Sequence, residues 1–155
     1  MPKTIAYLRV STTEQDLEKD KAAILHLAND KELGKVYFIE EKISGTISWK
    51  KRKIASIIQE LQKNDSLIVS ELSRIGRSML EIMQVLSIAL EKGINVYAVK
   101  GNWQLDQSIQ SKIRRRKYVA AEKLRAANEK THKDSFSSFV KAILCKANLM
   151  LHLDM

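Results

Sequence analysis

Apolar residues along the first hundred positions fall into short runs that alternate with longer, helically spaced sets. Residues 3–10 are rich in β-formers (Ile5, Tyr7, Leu8, Val10) and stop at Ser11-Thr12-Thr13, which predicts a strand followed by a helix cap. Ala22, Ala23, Leu25, Leu27 and Ala28 give the next segment helical apolar content, and Gly34 ends it. Val36-Tyr37-Phe38-Ile39 reads as a short buried strand, with a polar loop through Ser44-Gly45-Thr46 after it. Ile54, Ile57, Ile58 and Leu61 recur at helical spacing, and Asn64-Asp65 turns the chain into a third apolar strand, Leu67-Ile68-Val69. Met79, Ile82, Met83, Leu86 and Leu90 mark one face of a helix that Lys92-Gly93 closes, and residues 94–99 form a fourth strand.

Strands that alternate with helices imply parallel pairing with both sheet faces covered. The expected class is therefore α/β: a four-stranded, mainly parallel sheet over residues 3–100, flanked by helices. From Asp106 to about Lys130 the pattern becomes one long polar helix, in which Ile109, Ile113, Tyr118, Val119 and Leu124 make no strong stripe. Residues 135–155 carry enough spaced apolar side chains for one further short amphipathic helix. No internal repeat or Pro-rich linker interrupts the chain, and its one proline is Pro2.

Charge divides the chain where the pattern does. Residues 1–111 hold 16 Lys and Arg against 14 Asp and Glu, whereas residues 112–155 hold 11 against 4. A nearly neutral body with a basic C-terminal portion suggests a polyanion on that side, although a solvated helix explains the same charges. An apolar fraction of 45 % is ordinary for a globular domain, and no run approaches a membrane span. The N-terminus lacks the apolar core of a signal peptide, and the one cysteine, Cys145, has no partner for an internal disulfide. These features fit a cytoplasmic protein, associated with the nucleoid if DNA is the partner.

In parallel α/β sheets, sites gather beyond the C-terminal ends of strands. Three loops leave those ends. The first carries Arg9, Ser11, Glu14 and Gln15; the second Ser44 and Gly45, then Lys50, Lys51 and Arg52; the third Glu71, Ser73, Arg74, Gly76 and Arg77. Hydroxyls and guanidiniums on one edge suit a phosphate, because Arg offers planar two-point contacts and stays charged. Taken singly, Ser11 is as well explained as a helix cap, Arg74 and Arg77 as surface residues, and Ser44-Gly45 as a turn. Their coincidence on three ends of one sheet carries the reading. A P-loop and a G-x-G-x-x-G are absent. His26, His132 and His152 lack metal-ligand spacing, and His26 reads as structural.

Tyr7-Leu8-Arg9-Val10-Ser11-Thr12 with Gln15 resembles the opening motif of the resolvase/invertase serine recombinases. Ser44-Gly45 resembles their second motif and Glu71-Leu72-Ser73-Arg74-Ile75-Gly76-Arg77-Ser78 their third, with Val96-Tyr97-Ala98-Val99-Lys100-Gly101-Asn102-Trp103 extending the match into strand four. The resemblance implies a site-specific DNA recombinase whose serine attacks the phosphodiester, leaving a 5′-phosphoserine link and a free 3′-hydroxyl without metal or nucleotide cofactor. By motif position Ser11 is the nucleophile, Arg9 its closest partner, Arg74 and Arg77 hold the phosphate, and Gln15 and Ser44 support the site. It also implies double-stranded DNA as partner and a homodimer that pairs into a tetramer on two sites. Lys50 stands where the second motif usually has its basic residue, with Arg52 close by; Ser73 stands where an aspartate is frequent.

On this reading residues 1–105 are the catalytic domain and residues 106–155 a basic helical extension without a recognisable helix-turn-helix. The extension departs from the family after Ile113, turning at once to Arg114-Arg115-Arg116-Lys117, which are expected to contact the DNA backbone. That departure keeps open an alternative, a catalytically incompetent DNA-binding or dimerising remnant.

Overall fold

A computed structural model of the chain describes residues 1–10 and 14–127. Ser11, the segment 135–155, the expected helix end at Lys130, His132, Cys145 and His152 lie outside the described residues. In order, the elements are β1 (Thr4–Arg9), α1 (Glu14–Asp30), β2 (Val36–Glu41), a 3-10 turn (Trp49–Lys51), α2 (Lys53–Glu60), β3 (Ser66–Val69), a second 3-10 turn (Leu72–Arg74), α3 (Met79–Lys92), β4 (Asn95–Ala98), β5 (Trp103–Leu105) and α4 (Gln107–Ala127). The chain divides into a unit spanning residues 1–106 and a second unit that begins at Gln107.

The sheet has the order β2-β1-β3-β4-β5, with the first four strands parallel and β5 antiparallel to β4. The four expected strands are present, and β5 is a fifth. It exists because Gly101 and Asn102 both take the left-handed backbone region, at φ +79° and +46°, and fold the chain back so that Trp103 faces Ala98. Gly101-Asn102 is a turn signal in the sequence, but with the fourth strand expected to end at residue 99 only three residues, Trp103-Gln104-Leu105, stand before the long polar helix, too short a run to read as a strand.

β1 is central, and every residue from Thr4 to Leu8 is buried. Ala6, Leu8, Ile68 and Tyr97 share one sheet face and pack with Ile24 and Ala28 of α1. Burying a side chain such as Ile24 stabilises the fold by about 1.5–3 kcal/mol. Ile24, not Leu25, faces the sheet; Leu25 is exposed. Because strand side chains alternate, Ile5, Tyr7, Leu67 and Val69 point to the other face and are equally buried. On α3 the buried stripe is Ile82, Val85, Leu86, Ala89 and Leu90; of the expected face Ile82, Leu86 and Leu90 are buried and Met79 and Met83 half-buried.

One expectation needs correction. β2 is not a buried strand: it lies at the sheet edge, and Tyr37 is 47 % exposed. His26 lies on the solvent side of α1, its Nδ1 3.0 Å from Asp30 Oδ2. Among the described residues, no helix is long and apolar enough to cross a membrane.

Candidate active site

Parallel register brings three strand ends to one level. Arg9 of β1 stands beside Glu41 of β2, and Tyr7 beside Val69 of β3. Beyond that edge the backbone stays paired, with Val10 N–H donating to the Glu41 carbonyl (2.8 Å) and Lys100 N–H to that of Ser70 (2.8 Å). The next residue after Val10 is Ser11, whose position lies outside the described residues. Gln15 falls in the first turn of α1.

Arg9 turns its guanidinium toward the second loop. Its Nη1 donates to the Ile43 carbonyl at 3.3 Å, and a β-carbon built on Gly45 would stand 3.5 Å from Cζ, Nη1 and Nη2. Its Nε–H is buried and finds no acceptor among the described residues. Burial, followed by the like charges of Arg74 and Arg52, lowers Arg9 from the usual arginine value. Even so, a guanidinium remains charged at any ordinary pH.

Arg74 closes the second 3-10 turn. Its Nε is also buried and makes no aligned hydrogen bond; Glu71 Oε1, 3.4 Å away, pairs with it by charge alone. Glu71 in turn takes Lys100 Nζ at 3.2 Å, so the fourth strand end contributes a cation that the motif reading did not single out. Burial would raise the Glu71 carboxyl, but hydrogen bonds from Lys100 and Ser73 and the charge of Arg74 lower it on balance.

Arg52 is placed differently from Lys50. Lys50 is exposed. Arg52 is 3 % exposed, and its guanidinium donates to three carbonyls: Nε to Ile47 (2.7 Å), Nη2 to Gly45 (2.7 Å) and Nη1 to Arg74 (3.1 Å). A group spent on three backbone acceptors has little left for DNA, so Arg52 ties the second loop to the third. Ser44 is exposed, and its Oγ stays within its own turn, 2.9 Å from Thr46 Oγ1.

The third loop ends at Ser78, the cap of α3, whose Oγ accepts from Glu81 N–H at 3.3 Å. The Glu81 carboxylate reaches back across both loops. Oε1 accepts from Ser48 Oγ (2.6 Å), and Oε2 from the backbone N–H groups of Trp49 (3.2 Å) and Arg77 (3.1 Å). Arg77 Nε lies 3.2 Å from Oε1. Burial would raise the Glu81 carboxyl, yet the bonds from Ser48, Arg77 and Trp49 and the Arg77 charge hold it down to about 2. Motif reading passed over Glu81, although Ser78-Met79-Leu80-Glu81 is a capping-box pattern. On α4, Arg114, Arg115, Arg116 and Lys117 are all exposed.

A family model, Resolvase, N terminal domain, matches residues 4–134. A Clostridium perfringens protein named Resolvase is 34 % identical over 104 residues, which is 67 % of this chain and 52 % of the relative. Serine recombinase gin of Escherichia phage Mu is 32 % identical over 91 residues, covering 59 % of this chain and 44 % of its own. The fold resembles the N-terminal catalytic domain of TP901-1 integrase, at a TM-score of 0.52 and 16 % identity over 82 % of this chain and 99 % of that one. The catalytic domain of ISC1926 TnpA, an IS607-like serine recombinase, gives a TM-score of 0.50 at 16 % identity over 90 % and 94 % of the two chains. This chain belongs to the resolvase family of serine recombinases. It spans about half the length of the curated relatives it matches.

Proposed function

We propose that the chain is the catalytic part of a site-specific DNA recombinase that cuts and rejoins DNA through Ser11. The observation that carries this reading is the pair of half-buried arginines at one sheet edge, Arg9 and Arg74, whose Nε atoms are themselves buried and make no aligned hydrogen bond among the described residues. They stand beside the strand end that leads directly into Ser11. Buried donors without acceptors are rare in folded proteins, and donors of positive charge call for an anion.

In the proposed reaction Ser11 Oγ attacks the phosphorus, the Oγ–P bond forms and the P–O3′ bond breaks. The serine proton leaves to a base, and the departing 3′ oxygen gains a proton. Charge gathers on the phosphate oxygens as the bond order changes, and Arg9, Arg74 and Arg77 are the groups that stabilise it. Because the phosphoserine ester keeps the energy of the broken bond, attack by a 3′-hydroxyl reverses the step without ATP. Gln15 and Ser44 support the site, and Lys50 contacts the backbone of the bound duplex. Arg114, Arg115, Arg116 and Lys117 add backbone contacts from α4. Pairing of two dimers into a tetramer on two sites supplies the second cut that strand exchange needs.

The test is incubation with a pool of nicked duplexes of randomised sequence, followed by digestion and mass spectrometry. A phosphonucleotide on the Ser11 peptide, absent from Ser11→Ala, supports the recombinase. DNA binding without adduct identifies a remnant, and cut ends free of protein identify a nuclease; either overturns the reading.

A further inference from the structure

Two buried charges of opposite sign cross-tie the second and third loops. Arg52 supplies donors to carbonyls at Gly45, Ile47 and Arg74, while Glu81 supplies acceptors to Ser48, Trp49 and Arg77. Arg52 holds three backbone carbonyls and lies against the Tyr7 hydroxyl, none of them a group proposed to hold the phosphate. Glu81 touches a proposed phosphate ligand directly, and that difference makes it the more informative of the two.

We propose that Glu81 is the positioning residue for Arg77: it anchors that arginine through Nε and backbone N–H, and so aims its two terminal nitrogens at the phosphate. The inference rests on the recombinase reading and deepens it. Three features support it. First, Arg77 has no fixed place of its own, because its side chain is 55 % exposed and it lies in the loop just before α3. Second, the Glu81 side chain is only 9 % exposed and fixed by the helix, by Ser48 and by Trp49, so it is the rigid member of the pair. Third, in the usual capping box the glutamate returns to the N–H of the cap residue, which here is Ser78. Glu81 accepts instead from Arg77, one residue earlier, and binds the side chain of that same residue. A carboxylate that served the helix end alone would have no reason to hold both.

Anchoring by Nε leaves the Nη1 and Nη2 edge of a guanidinium open, and that edge makes two-point contacts with phosphate oxygens. The contacts of Arg77 to Glu81 run through Nε and the backbone N–H and use neither of those two nitrogens. An arginine already held in this way loses less side-chain freedom when the phosphate develops its charge. The same carboxylate grips Ser48 and Trp49, so movement of the Ser44 loop is transmitted to Arg77 through one side chain.

Glu81→Gln is the informative substitution. It keeps size and helix propensity, but both carboxylate oxygens touch Arg77, so whichever way the amide is turned one contact to Arg77 is lost. The rate of adduct formation on the DNA pool described above is measured for the full chain, Glu81→Gln, Arg77→Ala and the double variant. If Glu81 acts through Arg77, Glu81→Gln slows adduct formation about tenfold or more, and adds nothing further to Arg77→Ala. Effects that multiply in the double variant, or a Glu81→Gln rate equal to that of the unaltered chain, overturn the proposal.

A second readout needs no catalysis. In isotope-labelled protein the Arg77 Nε–H resonance should be sharp and slow to exchange, and should lose that protection in Glu81→Ala, which removes both carboxylate oxygens. An unprotected Arg77 Nε–H in the unaltered chain overturns the proposal whatever the DNA assay shows. If the chain forms no adduct at all, the recombinase reading fails, and this resonance still decides whether Glu81 holds Arg77.

Discussion

Gly76 lies so close to the first turn of α3 that a β-carbon on it would stand 2.9 Å from Glu81 Cβ and 2.9 Å from Ile82 N. Of those two neighbours the Ile82 nitrogen cannot swing aside, because it is main chain already bonded to the Ser78 carbonyl at 3.0 Å. Gly76→Ala must therefore push the third loop off α3. The expected loss is about 1–3 kcal/mol in denaturant unfolding, with Arg77 released from Glu81. Gly45→Ala is the contrast. Its added methyl meets Arg9 at an ordinary 3.5 Å, so stability should change by less than about 0.5 kcal/mol.

Arg52 invites a conservative replacement that should fail. Lysine keeps the charge, but one ammonium cannot reproduce a planar fork that meets Gly45, Ile47 and Arg74 together. Each buried carbonyl left without a donor costs about 1–3 kcal/mol, so Arg52→Lys should be measurably destabilised, and Arg52→Met more so. Lys50→Ala, at an exposed position of the same segment, should leave unfolding unchanged and weaken DNA binding. Equal stability for Arg52→Lys and the unaltered chain would remove Arg52 as a tie between the loops.

An anion site between Arg9 and Arg74 predicts stabilisation by sulfate or phosphate beyond the general effect of salt. Binding to the folded form alone raises stability by RT ln(1 + [L]/Kd), so Tm should climb with sulfate and not with matched chloride. Arg74→Gln should abolish that difference while leaving the fold intact, as the side chain is a quarter exposed and its one ion pair, to Glu71, leaves that carboxylate still paired with Lys100. A sulfate response that persists in Arg74→Gln would place the anion elsewhere.

Glu81 also gives the protein an acid-sensitive contact. Its carboxyl is depressed in the folded state, from 4.5 to about 2, so its stabilising effect is complete above pH 4.5 and fades as the pH falls toward about 2. Unfolding measured across that window should show the unaltered chain losing its advantage over Glu81→Gln as the solution is acidified. A constant difference between the two would mean the carboxylate is not better held in the folded state than in the unfolded one.

Much of this architecture is legible in the sequence for a simple reason. The runs at Ile5, Leu67 and Val96 are too short and too apolar for surface helices, and helically spaced residues separate them. Which strand lies at the edge is not legible: Val36-Tyr37-Phe38-Ile39 is as apolar as the central strands, and only pairing reveals that β2 has one neighbour. Among the candidate site residues, Arg9, Arg74 and Arg77 are named by motif position. Sequence alone cannot separate Lys50 from Arg52, since cations two residues apart in a loop look alike until one is found buried. Glu81 is missed for the opposite reason. An acidic residue in a helix looks like solvent-facing charge, and its work depends on Ser48 and Trp49, which are distant in sequence.

The proposed contacts of the α4 arginines predict the salt dependence of DNA binding. Arg114, Arg115 and Arg116 follow one another, and successive helical residues are turned by about 100°, so no single flat face takes all three. Replacing all three by glutamine should weaken binding to unrelated DNA sequences alike. The slope of log affinity against log salt should become shallower by about one unit per lost phosphate contact, for one or two contacts. An unchanged slope would leave these residues as solvated charge.

The central position of β1 sets the timing of folding during synthesis. β1 leaves the ribosome before either of its neighbours, and its partners begin at Val36 on one side and Ser66 on the other. Until Val69 has emerged, Ile5, Ala6, Tyr7 and Leu8 have no complete sheet in which to bury, and they stay open to other apolar surfaces. Pairing between residues so far apart in the chain is slow to nucleate, and exposed strands of this kind are where nascent proteins aggregate. Aggregation during synthesis is therefore expected to be most frequent between the emergence of β1 and that of β3.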